Sequence, residues 1–278
     1  LKGSEHFGFE KMEFNSAEML HYKTELERRV YADRAVHLGD PDYYDVPTAA
    51  LIDDDYNKTR FSFIKKNKKT ASSEMKEGDV APYESTETTH FSVVDPAGNA
   101  VALTTTLNGS YGSAVMVKGA GFFLNNEMDD FSIKPGYPNM YGLIGGYINS
   151  IEPEKRMLSS MTPTIIEHNG ELSMVLGSPG GPTIITSVLQ TILNFYEFGF
   201  DMQESVDLPR FHHLWLPDKI FYEENILSEN IKSNLSKKKY LFNDTSSVIG
   251  RVDAIHVDKN DYLNPGADKR GDDTAIGY

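Results

Sequence analysis

The sequence predicts an α+β layered fold, in which paired strands are flanked by helices. Two features of the hydrophobic pattern carry this prediction. Residues 91–107 and 162–176 show the two-residue alternation of strands, and a turn interrupts each stretch. Residues 184–196 instead place apolar side chains at helical spacing, which is typical of a helix with one buried face.

The first element is a helix predicted from Asn15 to about Leu38. Asn15 can cap it, and Glu18 follows three residues later as in a capping box. Gly39-Asp40-Pro41 ends it. A second, shorter helix is predicted over residues 48–63. Residues 65–87 then have linker composition, and exposed linkers are where chains are cut.

The strands follow this linker. Residues 91–95 and 100–107 form one predicted pair around the turn 96–99, and residues 162–167 and 171–176 form a second pair around Asn169-Gly170. The apolar helix after the second pair ends at Gly199. A short helix over about 203–207 and a strand over 248–257 complete the prediction.

Composition limits the classes of function. The chain has 278 residues and a net charge of −14, which argues against nucleic acid as the main partner. No apolar run is long enough for a membrane span. Cysteine is absent, so disulfides and thiol catalysis are excluded. The lysine clusters at 65–69 and 237–239 are interpreted as solvated loops, and His212-His213 as structural rather than metal-binding.

Thr88 is the first candidate for catalysis, because it stands between the linker and the first strand. A threonine is a weak nucleophile without a neighbouring base, and its own α-amine can serve if the Glu87–Thr88 bond is cut. The α-amine of a chain terminus has a pKa of about 8, which suits that task. A turn-forming or buried threonine is the structural alternative.

The second candidate is Ser178-Pro179-Gly180-Gly181, directly before the apolar helix. Glycines at this place expose backbone N–H groups, and the helix N-terminus adds positive potential, as in an oxyanion hole. A phosphate-binding turn and a plain connection remain open, although no Gly-Lys-Ser/Thr follows as in a Walker loop.

Three further segments carry polar chemistry. Residues 125–131 hold three carboxylates and two amides, which suit Ca²⁺ or a substrate ammonium group, with a solvated acidic turn as the alternative. Ser159 and Ser160 can bind a carboxylate through hydroxyl and backbone N–H groups, or act as ordinary caps. Residues 134–142 are rich in turn formers and hold two tyrosines, so they are a candidate lid over a site.

Seven segments in order resemble the γ-glutamyltranspeptidase family of N-terminal nucleophile hydrolases, which has a four-layer αββα fold. They are TTHFSVVD from Thr88, GNAVALTTTLN from Gly98, LNNEMDDF from Leu124, KPGYPNMYGL from Lys134, LSSMTPTI from Leu158, GSPGG from Gly177 and PRFHHLWLP from Pro209. ERRVYADRAVHLGDP from Glu27 is similar to a helix near the end of that family's large subunit.

The resemblance implies a role for each matching residue. Thr88 is expected to be the nucleophile and the first residue of the small subunit, and Thr106 the threonine that hydrogen-bonds it. Gly180 and Gly181 are expected to supply the oxyanion hole through their N–H groups. The expected substrate contacts are Asn108, Glu127 and Asp130 for the α-amino end of the γ-glutamyl group, Ser159 and Ser160 for its carboxylate, and Tyr141 as a lid residue.

The resemblance also implies the organisation of the protein. Residues 1–87 are expected to be the end of the large subunit and the linker, and residues 88–278 the small catalytic subunit. The rest of the large subunit, including an arginine for the substrate carboxylate, is expected to be missing from this chain. The implied reaction is γ-glutamyl transfer or hydrolysis on glutathione and similar compounds, with an amino acid, peptide or water as acceptor.

The same resemblance implies that no metal or organic cofactor takes part, and that the protein is periplasmic or secreted. Two alternatives remain inside the superfamily, namely an acylase and a poly-γ-glutamate hydrolase. A third is that this shortened chain is an unprocessed, inactive fragment, or a scaffold that kept the fold.

Overall fold

The computed structural model describes residues 1–75 and 88–277. The second half of the predicted linker and the Glu87 side of the predicted cleavage bond lie outside these residues. The helices are α1 (Lys2–Glu5), α2 (Ala17–His37), α3 (Thr48–Leu51), α4 (Asp54–Ser62), α5 (Thr183–Tyr196), α6 (Met202–Asp207) and α7 (Glu229–Lys237). The strands are β1 (Thr89–Val94), β2 (Ala100–Thr105), β3 (Thr164–His168), β4 (Glu171–Gly177), β5 (Phe211–His212), β6 (Phe221–Tyr222), β7 (Asp253–Val257) and β8 (Leu263–Gly266).

The described chain divides into two compact units, each built from three separate segments. Unit one contains residues 1–75, Met128–Ser159 and Phe211–Ser247. Unit two contains residues 88–127, Ser160–Arg210 and 248–277. Helices and antiparallel strands both occur in the described chain, which agrees with the predicted α+β class. No helix in the described ranges is long and apolar enough to cross a membrane.

The long helix α2 organises unit one. It begins one residue later than the sequence indicates, because Ser16 rather than Asn15 is the cap. The Ser16 hydroxyl accepts a hydrogen bond from the Met19 N–H at 3.2 Å, whereas Asn15 has a left-handed φ of 53°. Asn15 therefore turns the chain into the helix, and the predicted Asn15 cap is wrong by one position.

Charged groups are buried along α2 because they form ion pairs with each other. Glu25 lies between Arg28 and Arg29, at 2.5 Å and 2.7 Å from their guanidinium nitrogens. These three side chains are almost fully buried, so each charge needs its partner. The apolar side chains around this helix form a core cluster of Leu20, Phe211, Ile220, Ile226, Leu227, Leu235 and Tyr240.

The second predicted helix divides into α3 and α4. Asp53 starts α4 as its cap, since its Oδ1 accepts hydrogen bonds from the N–H groups of Asp55 and Tyr56, both at 2.9 Å. A side chain that caps a new helix competes with continuation of the preceding one. The predicted single helix over 48–63 is therefore corrected to two short helices.

Unit two contains two antiparallel sheets. The strands β1 and β2 form a hairpin, and β3, β4, β7 and β8 form a four-stranded sheet in that order. Helices α5 and α6 cover the second sheet and bury a cluster of Met174, Leu176, Ile184, Val188, Ile192, Met202, Val206, Val252 and Ala254. The last strand in the predicted region 248–257 is shorter than predicted and begins at Asp253.

Candidate active site

A pair of threonine hydroxyls lies at the open end of the β1–β2 hairpin. Thr89 pairs with Thr105 in the strand register. Thr88 and Thr106 are the next residues outward, so antiparallel pairing brings them opposite each other. The Thr88 Oγ1 donates a hydrogen bond to the Thr106 Oγ1 at 3.2 Å. The hairpin therefore places the hydroxyl predicted to be the nucleophile within hydrogen-bonding distance of a second threonine.

Asn108 fixes the Thr106 hydroxyl from the other side. Its backbone N–H donates to the Thr106 Oγ1 at 2.9 Å, and its Nδ2 donates to the Asn126 carbonyl at 3.2 Å. Asn108 is buried and has a positive φ of 71°. Asparagine tolerates this left-handed backbone better than most residues. The turn after β2 thus holds Thr106 as an acceptor for Thr88.

The loop between β4 and α5 presents two glycine amides. Gly180 has a φ of 131° and Gly181 a φ of 53°, and both values disfavour residues with a Cβ. Their carbonyls accept hydrogen bonds from the first turn of α5, at 3.1 Å from the Thr183 N–H and 3.2 Å from the Ile184 N–H. Among the described residues, the N–H groups of Gly180 and Gly181 have no acceptor, so they are free to bind an anionic oxygen.

Buried neighbours hold this loop rigidly. The Ser178 hydroxyl is fully buried, donates to the Pro179 carbonyl at 2.6 Å and accepts from the Arg251 N–H at 2.9 Å. A Cβ at position 180 would lie 2.5 Å from the Thr183 Oγ1 and 3.2 Å from the Gly250 Cα. A side chain at position 180 would therefore be strained in its backbone and crowded by Thr183.

His90 packs the threonine hairpin against the last residue of β4, directly before this loop, and the sequence pattern gave no sign of this role. Its ring hydrogen-bonds the Thr104 Oγ1 at 2.8 Å and the Ser92 Oγ at 3.1 Å. The ring lies over Gly177, where an added Cβ would be only 2.2 Å from the His90 Cε1. Burial lowers the pKa of His90 to about 4, so the ring is neutral near pH 7.

The remaining predicted contacts of unit two are Glu127 and Ser160. Glu127 begins a short 3₁₀-helix (Glu127–Asp130), and its N–H donates to the Asn125 Oδ1 at 3.1 Å. Burial raises the pKa of the Glu127 carboxyl from its usual value. Ser160 is half-buried and is the first residue of the segment Ser160–Arg210 of unit two. Both residues remain candidates for substrate binding.

Asp130, Tyr141 and Ser159 belong to unit one. The Asp130 carbonyl accepts a hydrogen bond from the Asn149 Nδ2 at 2.7 Å. Tyr141 is buried, and its N–H donates to the Asn139 Oδ1 at 3.0 Å, which fixes the turn of the predicted lid segment. Ser159 is exposed, and its carbonyl accepts a hydrogen bond from the Arg34 Nη2.

Arg34 is a functional candidate that the sequence pattern did not single out. It is buried in the last turns of α2, and its Nη2 lies 3.4 Å from the Ser159 carbonyl. Arg34 and Asp130 line one cavity of about 220 Å³ in unit one. Burial lowers the pKa of the Arg34 guanidinium, and the Asp130 charge opposes that change. A buried arginine beside a carboxylate can bind a carboxylate-bearing ligand.

In the ranges 1–75 and 88–277, no group of three or more histidine, aspartate or glutamate side chains is arranged to hold a metal ion. His212 and His213 are fully buried, which fits their interpretation as structural residues.

Comparison with known proteins gives the context of this geometry. A family model described as "Gamma-glutamyltranspeptidase" matches residues 1–278. The chain is 44% identical to the glutathione hydrolase proenzyme of Escherichia coli over 275 residues, which is 99% of this chain and 47% of that protein. The chain thus spans about half the length of this curated relative.

Solved structures agree with this match. A γ-glutamyltranspeptidase from Pseudomonas nitroreducens in complex with L-DON has a TM-score of 0.65 at 44% identity, and covers 68% of this chain and 99% of its own. A cephalosporin acylase from Bacillus halodurans has a TM-score of 0.77 at 21% identity, covers 100% of this chain and 49% of its own, and shows the fold alone.

The fold is therefore that of the N-terminal nucleophile hydrolases, as the resemblance implies. Since the family model matches every residue and the relative from Escherichia coli aligns over almost the whole chain, the chain belongs to the γ-glutamyltranspeptidase family.

Proposed function

We propose that this chain supplies the nucleophile and the oxyanion-binding amides of an enzyme that transfers or hydrolyses γ-glutamyl groups. The observation that carries the proposal is the hydroxyl pair Thr88–Thr106 at 3.2 Å, held by the Asn108 N–H. A threonine whose hydroxyl is already positioned needs only a base, and a terminal α-amine is the nearest one. Family membership favours glutathione and related γ-glutamyl amides as substrates.

The first step is a cut of the Glu87–Thr88 bond. The Thr88 hydroxyl attacks the Glu87 carbonyl carbon and the C–N bond to Thr88 breaks, so the acyl group moves onto the Thr88 oxygen and the α-amine is freed. Water then hydrolyses this ester, which leaves a carboxylate on Glu87 and restores the Thr88 hydroxyl. The division into residues 1–87 and 88–278 stays a prediction of this step. One further observation supports this cut. The Pseudomonas nitroreducens chain covers 68% of the present chain, and residues 88–278 are a similar fraction of its 278 residues.

The second step acylates Thr88. Its Oγ1 attacks the γ-carbonyl carbon, and the hydroxyl proton passes to the α-amine directly or through water. The carbonyl oxygen becomes an oxyanion, which the N–H groups of Gly180 and Gly181 stabilise; one such donor contributes about 3 kcal/mol. The C–N bond then breaks, the leaving amine takes the proton, and a γ-glutamyl ester of Thr88 remains.

The third step returns the free enzyme. Water or an acceptor amine attacks the ester carbonyl and gives a proton to the α-amine, and the Thr88 oxygen leaves as the hydroxyl. The carboxylates of Glu127 and Asp130 are suited to the substrate ammonium group, and Ser159, Ser160 and the Arg34 guanidinium to its carboxylate. Tyr141 is proposed as a lid residue, and no cofactor is required by these steps. Export to the periplasm or the medium stays a prediction of the family resemblance.

The test uses the full-length protein and a γ-glutamyl anilide, with intact mass as a second measurement. Wild type should be cut before Thr88 and should release the aniline, whereas Thr88→Ala should be uncut and inactive. Thr88→Ser should keep part of both activities. Thr89→Ala is the matched control, because Thr89 is the adjacent exposed threonine of β1 and should behave as wild type.

Three results would refute the proposal in different ways. Turnover by Thr88→Ala would remove the nucleophile assignment. Full activity of an uncut wild type would remove the need for the α-amine. Equal turnover of a glutaryl anilide, which lacks the α-amino group, would favour an acylase over a γ-glutamyl enzyme.

A further inference from the structure

Two lysine clusters that are far apart in the sequence lie side by side in unit one. The Lys69 N–H donates to the Lys238 carbonyl at 3.1 Å. The Lys238 ammonium group contacts the Lys66 carbonyl, across 172 positions of sequence. The seven lysines at positions 65, 66, 68, 69, 237, 238 and 239 are called the lysine patch below. Two loops that the sequence presents as separate thus form one basic surface.

A buried histidine joins the two loops. The His21 Nδ1 is 2.7 Å from the Tyr240 hydroxyl, and its Nε2 is 2.8 Å from the Lys65 carbonyl. Both His21 and Tyr240 are almost fully buried. One ring on α2 therefore connects the backbone of the first loop to the residue that follows the second. The arrangement of the lysines is set by the core of the unit rather than by chance approach of flexible loops.

Most charges of the lysine patch have no acidic partner. Lys66 pairs with Glu18 at 2.9 Å and Lys69 with Asp218 at 2.7 Å. The other five lysines form no ion pair within the part of the chain that the structure describes. Lys65, Lys68, Lys237 and Lys239 are exposed. The patch is thus a concentrated positive charge on a chain whose net charge is −14.

Two exposed apolar side chains flank the lysine patch. Phe63 is 68% exposed and lines a shared cavity with Lys65 and Lys68. Leu241 is 58% exposed and follows Lys239 by two residues. Lysines beside exposed phenylalanine and leucine are typical of surfaces that bind at the headgroup layer of a bilayer. A purely electrostatic polyanion site has no use for exposed apolar side chains.

We propose that the lysine patch binds the surface of an anionic phospholipid bilayer, with Phe63 and Leu241 entering the headgroup layer. Each lysine near such a surface increases partitioning by roughly fivefold, and the effect decays within a Debye length of about 10 Å. Lysine suits this role, because its flexible ammonium group contacts phosphates without a fixed geometry. This binding is independent of the proposed catalytic function.

The test measures co-sedimentation of the full-length protein with vesicles. One set contains phosphatidylglycerol and phosphatidylcholine at three to seven, and the other contains phosphatidylcholine alone. The protein should bind the first set and not the second, and binding should weaken steeply between 0.05 M and 0.5 M salt. Replacement of Lys65, Lys68, Lys237 and Lys239 by glutamine should reduce partitioning by roughly 600-fold, since each of the four lysines contributes about fivefold.

The matched control replaces four exposed lysines elsewhere, Lys11, Lys58, Lys118 and Lys259, by glutamine. It changes the net charge equally and should bind vesicles as wild type does. Phe63→Ser with Leu241→Ser should weaken vesicle binding by at least about tenfold, since each apolar side chain loses its burial in the bilayer. The melting temperature of every variant verifies that it is folded.

Three outcomes would overturn the proposal. Wild type could fail to bind the anionic vesicles. The patch variant and the scattered-lysine control could bind them equally. Retention on inorganic polyphosphate could match vesicle binding, with no effect of the Phe63 and Leu241 changes, which would assign the patch to a soluble polyanion instead.

Discussion

The contact of His90 with Gly177 predicts that one methyl group at position 177 strongly destabilises unit two. A Cβ there would lie 2.2, 2.4 and 2.7 Å from three atoms of the His90 ring. The ring must move, and it is only 5% exposed, so it has little free space. Movement breaks its hydrogen bonds to Thr104 and Ser92. Overpacking costs about 1–3 kcal/mol, and each lost hydrogen bond about 1 kcal/mol.

The expected loss of stability for Gly177→Ala is therefore about 3–5 kcal/mol. Calorimetry of the full-length protein should show it as a decrease of roughly 10 °C in the melting temperature of the transition that contains unit two. Gly177 also precedes the loop of Gly180 and Gly181 by three residues. Displacement of this loop should reduce kcat for a γ-glutamyl anilide by at least about tenfold.

A double substitution makes the prediction sharp. His90→Ala alone should cost about 2–3 kcal/mol, because a buried ring and its hydrogen bonds are lost. In His90→Ala with Gly177→Ala, the new methyl group occupies space that the ring has left. The double variant should thus be about as stable as His90→Ala, with a coupling energy equal to the Gly177→Ala loss of about 3–5 kcal/mol. Losses that simply add would refute the proposed contact.

Two further predictions concern a half-buried and a buried carboxylate of unit two, Asp253 and Asp268. Burial, and then the charges of Asp273 and Asp268, raise the pKa of Asp253 to about 7. Because the pKa of Asp253 is higher in the folded than in the unfolded protein, the free energy of unfolding decreases as pH rises through 7. Asp253→Asn should remove about 2 kcal/mol of that decrease, measured by melting curves between pH 5 and 8. Asp268→Asn removes the negative charge 2.8 Å from the buried Arg210 guanidinium and should cost about 3–5 kcal/mol in calorimetry. Lys269→Ala, which removes a more exposed ion pair with Asp207, should cost less than about 1 kcal/mol.

Local patterns made much of the fold predictable. The hairpin turn at Asn169-Gly170, the apolar face of α5 and the end of α2 all follow from a few adjacent residues. The cap of α2 shows the limit of this reasoning. Asn15 and Ser16 both have cap-forming side chains, and the choice depends on the left-handed turn that Asn15 adopts. Sequence propensity does not separate two adjacent candidates of equal type.

The same distinction explains which parts of the candidate site were predictable. Thr88 and Thr106 meet because they are extensions of one hairpin, so the approach of their hydroxyls depends on local register alone. The glycines before α5 were predictable, because Ser178-Pro179-Gly180-Gly181 has the composition of a turn. Arg34 gave no signal, since an arginine in a charged helix looks like a solvated residue until the packing buries it.

His90 and the lysine patch were hidden for a further reason, because each depends on two segments that the sequence does not relate. His90 contacts a glycine of another sheet, Gly177. The only trace of this contact in the sequence is that position 177 is a glycine, which has no Cβ. The lysine loops meet through His21, a residue that belongs to neither of them. Composition assigned each lysine cluster to solvent, and five of the seven side chains are exposed. Composition does not show that the two clusters lie on one surface, where their charges add. The density of charge on a surface, rather than the number of charges in the chain, decides whether that surface attracts an anionic bilayer.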